Sequence, residues 1–372
     1  MASQAVCNRS DCASWGRERG MHMGRWVVLL LLLLSTCKTT SQDGVVNGSL
    51  DDDLEALRAQ YGVNGLNVGL LKGGRLVRTG AYGKTKADTI FSLASVSKIF
   101  VGLAAARALE LGRTLDLDAD VNDYLDWPEP LEHPDFPDQP VTLRQLMLHK
   151  AGIVSDGPED YETYPKPDPT VSLEASLQAQ LSNPEFWLPT APGAAEEYSN
   201  LGAALAALVI QKVVGQPFEA FCNDQIFTPL GMSDTRWFFR EFSAAQQARI
   251  TLPYDEDGDP YQHYGFNDWP SGQLRSTVGD LAKALAMLIA RGQNGGQTFL
   301  STARVTQFQD TPFFIASESP GAYSHSGGES GVNTWVEYDT AGTGVIVLVN
   351  QDLAEGDDDA LFEAVIARLK AE

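Results

Sequence analysis

Positive charge is what this sequence has least of. Against 49 Asp and Glu it sets 27 Lys and Arg, a formal net charge of −22 over 372 residues. Phosphate backbones are held by clustered Lys and Arg that release counterions, and no such cluster occurs here, which excludes a nucleic-acid partner. The basic residues are mostly arginine, and such a lysine-poor, acidic surface suits salty surroundings. Cysteine is scarce too. Cys7, Cys12, Cys37 and Cys222 have neither zinc spacing nor the density of a disulfide framework. There is no H-E-x-x-H and no G-x-S-x-G, and Gly83-Lys84-Thr85 lacks the earlier glycine of a phosphate loop. Asp255, Asp257 and Asp259 imitate a calcium loop, but Gly258 is misplaced and Pro260 stands at the sixth position. His133, His149 and His263 have no ligand spacing and are expected to be structural. No metal and no cofactor is therefore expected.

Long apolar runs are also missing. Near the amino terminus an uninterrupted run, Trp26-Val-Val followed by six leucines, falls well short of the roughly 20 residues that span a bilayer as a helix. Preceded by Arg17, Arg19 and Arg25, it reads as a signal peptide over residues 1–36, with the true start at Met1, Met21 or Met23. It ends in Leu34-Ser35-Thr36-Cys37, which resembles a bacterial lipobox. Export and lipid attachment at Cys37 are the expectation, with simple secretion or an uncleaved anchor as alternatives. Lys38 after the Cys points, by the same resemblance, to an outer membrane. Residues 37–49 are a polar tether, and the folded part is 50–372.

What is present suits a folded chain: 43% hydrophobic and 20% charged residues. A single core stops growing at roughly 250 to 300 residues, so two subdomains are expected. Asp51-Asp52-Asp53 introduces a helix with Leu54, Leu57 and Tyr61 at helical spacing, the acids complementing its dipole. Residues 66–71 and 75–78 read as strands joined at Gly73-Gly74. Far along the chain Val332 to Tyr338 alternates, Gly344 to Asn350 is an apolar strand, and Asp357-Asp358-Asp359 starts a closing helix. Between 94 and 273 the pattern is mostly helical. Strands at the two ends must pair to hide their edges. The predicted fold is α/β (α+β): an antiparallel sheet flanked by helices, 50–93 plus 274–372, with an all-helical subdomain, 94–273, inserted. Cys222 is expected to be a small buried hydrophobe.

Three short motifs carry chemistry. Ser95-Val-Ser-Lys98 opens an apolar helix, which places a hydroxyl and an amine on one face of its first turn. The serine N–H is an unpaired helix-start donor that can bind an oxyanion, and a desolvated Lys can serve as base. Taken alone, the pair reads more readily as a capping serine with a surface lysine. Tyr198-Ser-Asn200 offers a phenol that can relay protons and an amide that can hold an ammonium, or else a capping Asn beside a half-buried Tyr. Ser324-His325-Ser326-Gly327-Gly328 offers small residues beside which a substrate backbone can lie, or else a glycine-rich turn.

In this order the motifs resemble those of the serine β-lactamase and penicillin-binding family, closest to its class C enzymes and the related D-alanyl-D-alanine carboxypeptidases and esterases. Val141 to Gly152, Pro229-Leu-Gly-Met232 and Ser271 to Ser276 resemble the same family, over about residues 50 to 370. The resemblance implies Ser95 as acylated nucleophile, Lys98 and Tyr198 as proton-transfer pair, and Asn200 orienting Lys98 and the acyl group. It implies Ser95 and Gly328 as oxyanion hole, with His325 and Gly327 lining the substrate. It further implies a β-lactam, ester or peptidoglycan-peptide substrate cleaved through an acyl-enzyme. One departure stands out. Class C β-lactamases place Lys-Thr-Gly where this chain has His325-Ser326-Gly327, and a neutral imidazole attracts a carboxylate less than an ammonium does. This favours a peptidase or esterase over an efficient β-lactamase. The rival expectation is a catalytically weak, penicillin-recognising sensor or scaffold lipoprotein.

Overall fold

A computed structural model describes residues 49–154, 166–310 and 315–372. The leader, Cys37 and the tether up to residue 48 lie outside the described residues, as does part of the proline-rich stretch after 155.

The first helix, α1 (Leu50–Gln60), is capped by Ser49, whose Oγ accepts from Asp52 N at 3.3 Å while Asp52 accepts from Ser49 N at 3.1 Å. The three aspartates fill its first turn instead of preceding it. Strands β1 (Gly65–Lys72) and β2 (Arg75–Gly83) form the expected hairpin. Then come β3 (Phe91–Ser92), α2 (Ser97–Glu110), α3 (Asn200–Val214), β4 (Arg275–Ser276) and α4 (Val278–Ile289). The chain closes with β5 (Ala316–Ser319), β6 (Ala322–Glu329), β7 (Val332–Asp339), β8 (Gly344–Val349) and α5 (Asp357–Ala371).

One antiparallel sheet runs in the order β2-β1-β8-β7-β6-β5, so the amino-terminal hairpin enters beside the last strand. Sequence patterning anticipates β7 and β8 but not β5 and β6. The reason lies in β6 itself, whose Ser-His-Ser-Gly-Gly stretch has no apolar alternation because it runs against the backbone of residues 93–95, where Gly327 has no room for a side chain.

Strands β1 and β8 are buried on both faces. Leu66, Val68 and Leu70 join Val345, Val347 and Val349 against Leu54 of α1 and Leu361, Val365 and Leu369 of α5. Ile346, Leu348 and Val336 face the other way, into the core that holds Leu281, Leu285 and Leu288 of α4. Here Gly69 is a spacing requirement, since a Cβ on it would lie 2.6 Å from Val278 Cγ1. That core continues through α2 and α3, which are apolar almost all round and accordingly almost wholly buried. The described residues thus form one compact unit. Cys222 is fully buried within it, where desolvation pushes its thiol pKa up. The ends of the helical stretch are tied by the β3–β4 ladder, Phe91 opposite Ser276 and Ser92 opposite Arg275. This ladder brings Ser95 to the edge of the sheet.

Candidate active site

Ser95 lies in a 3₁₀ turn, Ala94–Val96, immediately ahead of α2. The turn is held from three sides. Leu93 N donates to Leu274 O at 2.9 Å, Thr334 Oγ1 donates to Leu93 O at 2.8 Å, and Leu274 N donates to Ser97 Oγ at 3.1 Å. Ala94 has φ 47°, a left-handed conformation that costs an L-residue about 1 to 2 kcal/mol. Such strain is sustained where the surroundings overdetermine the backbone, as the three bonds do here.

Lys98, one turn on, is fully buried. Its Nζ donates to Ser95 Oγ at 3.0 Å, to Asn200 Oδ1 at 2.7 Å and to the Ser271 carbonyl at 2.8 Å. Two of these acceptors are rigid, one at the start of α3 and one in the turn Trp269–Ser271. When the amine is neutral, its two N–H bonds keep to those acceptors and its lone pair faces the serine hydroxyl. Tyr198 joins through its ring, whose centroid is 4.7 Å from Lys98 Nζ. Residues from three distant segments thus converge on one amine. Ser271 is a member that side-chain reasoning misses, since it contributes only main-chain oxygen.

Strand β6 supplies the opposite wall. Among the described residues, β5 pairs with it no further than Ser324, so His325 to Glu329 are paired on one side only, with β7. Gly327 passes so close to the serine turn that a Cβ on it would lie 2.5 Å from Leu93 O and 3.0 Å from Ser95 N. Gly328, next along, is exposed. The two expected oxyanion donors, Ser95 N–H and Gly328 N–H, therefore belong to adjacent backbones.

His325 is half-buried, and desolvation, with the Lys98 charge adding to it, lowers its pKa to about 4. Its ring carries no charge at neutral pH. The same two causes bring His149 down to about 3, and burial followed by the Arg275 charge brings His263 to about 4. His263 packs on the Phe239 ring, and His133 is fully buried between the Phe136 and Trp187 rings, both structural as expected.

These shifts fix the sign of an acid effect. The unfolded chain takes up protons as pH falls below about 6.5 while the native histidines do not. The histidine contribution is thus full above that pH and is lost down to about pH 4 for His263 and His325 and about pH 3 for His149, by about 1.4 kcal/mol per pH unit for each excess proton. The urea midpoint is expected to drop steadily from pH 7 to 4.5. A midpoint flat over that range would mean that the imidazoles are solvated.

Comparison with known proteins places this arrangement. The beta-lactamase family model matches residues 50–369. Esterase EstB of Burkholderia gladioli is 31% identical over 201 residues, 47% of this chain and 44% of that esterase, so the match spans less than half of the relative. A penicillin-binding protein homologue from Pyrococcus abyssi superposes with a TM-score of 0.70 at 23% identity, covering 87% of this chain and 77% of that one. A class C beta lactamase from Rhodobacter sphaeroides gives 0.66 at 20% identity, covering 86% and 99%. With nearly all of its described residues matched by that family model, the chain belongs to the beta-lactamase family.

Proposed function

We propose that this protein is a serine hydrolase that forms an acyl-enzyme on Ser95 and prefers ester or amide substrates to β-lactams. The observation that carries the reading is the amine of Lys98, buried and aimed at Ser95 Oγ by Asn200 and the Ser271 carbonyl. Neutral Lys98 takes the hydroxyl proton as Ser95 Oγ bonds to the substrate carbonyl carbon. The carbonyl oxygen gains charge opposite Ser95 N–H and Gly328 N–H. The bond to the leaving oxygen or nitrogen then breaks, and the proton reaches the leaving group through Lys98 and Tyr198. Water repeats the cycle on the ester and releases Ser95.

Substrate preference follows from His325. A neutral ring in place of an ammonium gives a substrate carboxylate no charged partner, and a hydrogen bond to a charged group is worth about 1.5 to 3 kcal/mol, a tenfold effect or more. The esterase among the relatives supports the same preference. Steady-state rates on an activated acyl ester, a D-alanyl-D-alanine peptide and a chromogenic cephalosporin test it. The ester is expected to exceed the cephalosporin in kcat/KM by about tenfold or more, and the reverse order contradicts the reading. Export and lipid attachment at Cys37 belong to the same proposal, on the strength of the leader alone. Absence of radiolabelled palmitate from the protein expressed in a bacterium that processes lipoproteins counts against them.

A further inference from the structure

Tyr198 stands on an irregular connection. Residues 188–199 contain neither helix nor strand, so nothing regular fixes the phenol, and its position depends on individual bonds. Most of these come from one short segment, 149–154. Gly193 N donates to Lys150 O at 2.7 Å, and Ser199 Oγ donates to Val154 O at 2.9 Å. Three further contacts converge on a single residue of that segment. Glu197 N donates to the His149 carbonyl at 2.7 Å, Ser199 N donates to His149 Nδ1 at 3.1 Å, and the His149 ring lies against that of Tyr198 with centroids 4.5 Å apart. The residues before and after Tyr198 are both bonded to His149, and the ring between them rests on its imidazole.

We propose that His149 is a positioning residue for Tyr198, a clamp that holds the phenol beside Lys98. The proposal rests on the hydrolase reading above. Accepting from Ser199 N requires a lone pair on Nδ1, which only the neutral ring with its proton on Nε2 has. Burial keeps the ring neutral, whichever protonation state Lys98 is in. An apolar ring here could stack but would leave the Ser199 N–H without its acceptor. Histidine combines a flat face with an acceptor. His149 also sits at φ 54°, a conformation in which Asn is among the best-tolerated side chains, and its Oδ1 falls close to the place of Nδ1.

The test uses the full folded domain with His149→Phe, which keeps the face and loses the acceptor, and His149→Asn, which keeps the acceptor. Each is made with and without Tyr198→Phe. The readout is the rate at which a fluorophosphonate labels Ser95. Since misplacing a catalytic group by about 1 Å costs about 100-fold, His149→Phe is expected to slow labelling by about 30- to 100-fold. In the Tyr198→Phe background the same change is expected to cost under about threefold, because the group it positions is already gone. His149→Asn is expected to recover to within about tenfold of the parent. In the unmutated protein, amide exchange at Ser199 is expected to be protected, a measurement that no variant's folding can spoil. Labelling of His149→Phe at the parent rate, a loss that multiplies in full onto that of Tyr198→Phe, or fast exchange at Ser199 each overturns the clamp while leaving the hydrolase reading intact. No labelling of Ser95 in the unmutated protein overturns both.

Discussion

Lys98→Met is expected to lower kcat/KM on an activated ester by about 10³- to 10⁴-fold while the chain stays folded. The side chain is fully buried, and Met fills nearly the same volume without a charge. What disappears is the group that can take a proton from Ser95 Oγ, 3.0 Å away. The two other acceptors, Asn200 Oδ1 and Ser271 O, are left without their donor, so some thermal stability is expected to go as well. The loss should fall on kcat and on the labelling rate, with KM little changed, as the role proposed for the amine at the reacting atoms requires. A variant that kept a tenth of the parent kcat would place the base elsewhere.

Gly327→Ala is expected to have the second largest effect, by a different route. Its Cβ would lie 2.4 Å from Thr334 Oγ1 and 2.5 Å from Leu93 O, inside any tolerated contact. Neither neighbour can give way freely, since Thr334 Oγ1 holds Leu93 O and so the serine turn itself. Strand β6 must therefore move away from the turn, separating the Gly328 N–H from that of Ser95. Loss of one oxyanion donor costs about 10²- to 10³-fold in kcat, and overpacking of this kind costs about 1 to 3 kcal/mol in stability. Urea unfolding separates the two parts. If stability falls while kcat holds, Gly327 is a packing residue and the oxyanion assignment fails.

The parts of the fold legible in the sequence are those where a residue faces one consistent environment. Val332 to Tyr338 alternates because Val336 and Tyr338 enter the core while Asn333 and Glu337 do not, and β8 is apolar throughout because helices cover both its faces. The same logic does not reach β6, where Gly327 answers to the neighbouring backbone of residues 93–95 and Gly328 is exposed. At the helix starts the aspartates occupy the first turn, where they complement the dipole, while the cap positions belong to Ser49 ahead of α1 and to Gly356, at φ 84°, ahead of α5. Within the site, side chains with distinctive chemistry could be named beforehand. Ser271 could not be assigned a role, because only its carbonyl takes part, and His149 could not be linked to Ser199, 50 positions away, without the fold that brings them together.

The central claim is that Ser95 is a nucleophile activated by Lys98. Intact mass after exposure to a fluorophosphonate and, separately, to a penicillin tests it most directly, with Ser95→Ala as control. The account predicts one phosphonyl adduct per chain, absent from Ser95→Ala and strongly slowed in Lys98→Met, with slower or lesser modification by the penicillin. A folded protein that takes neither label, or takes the phosphonyl group equally well after Ser95→Ala, contradicts it.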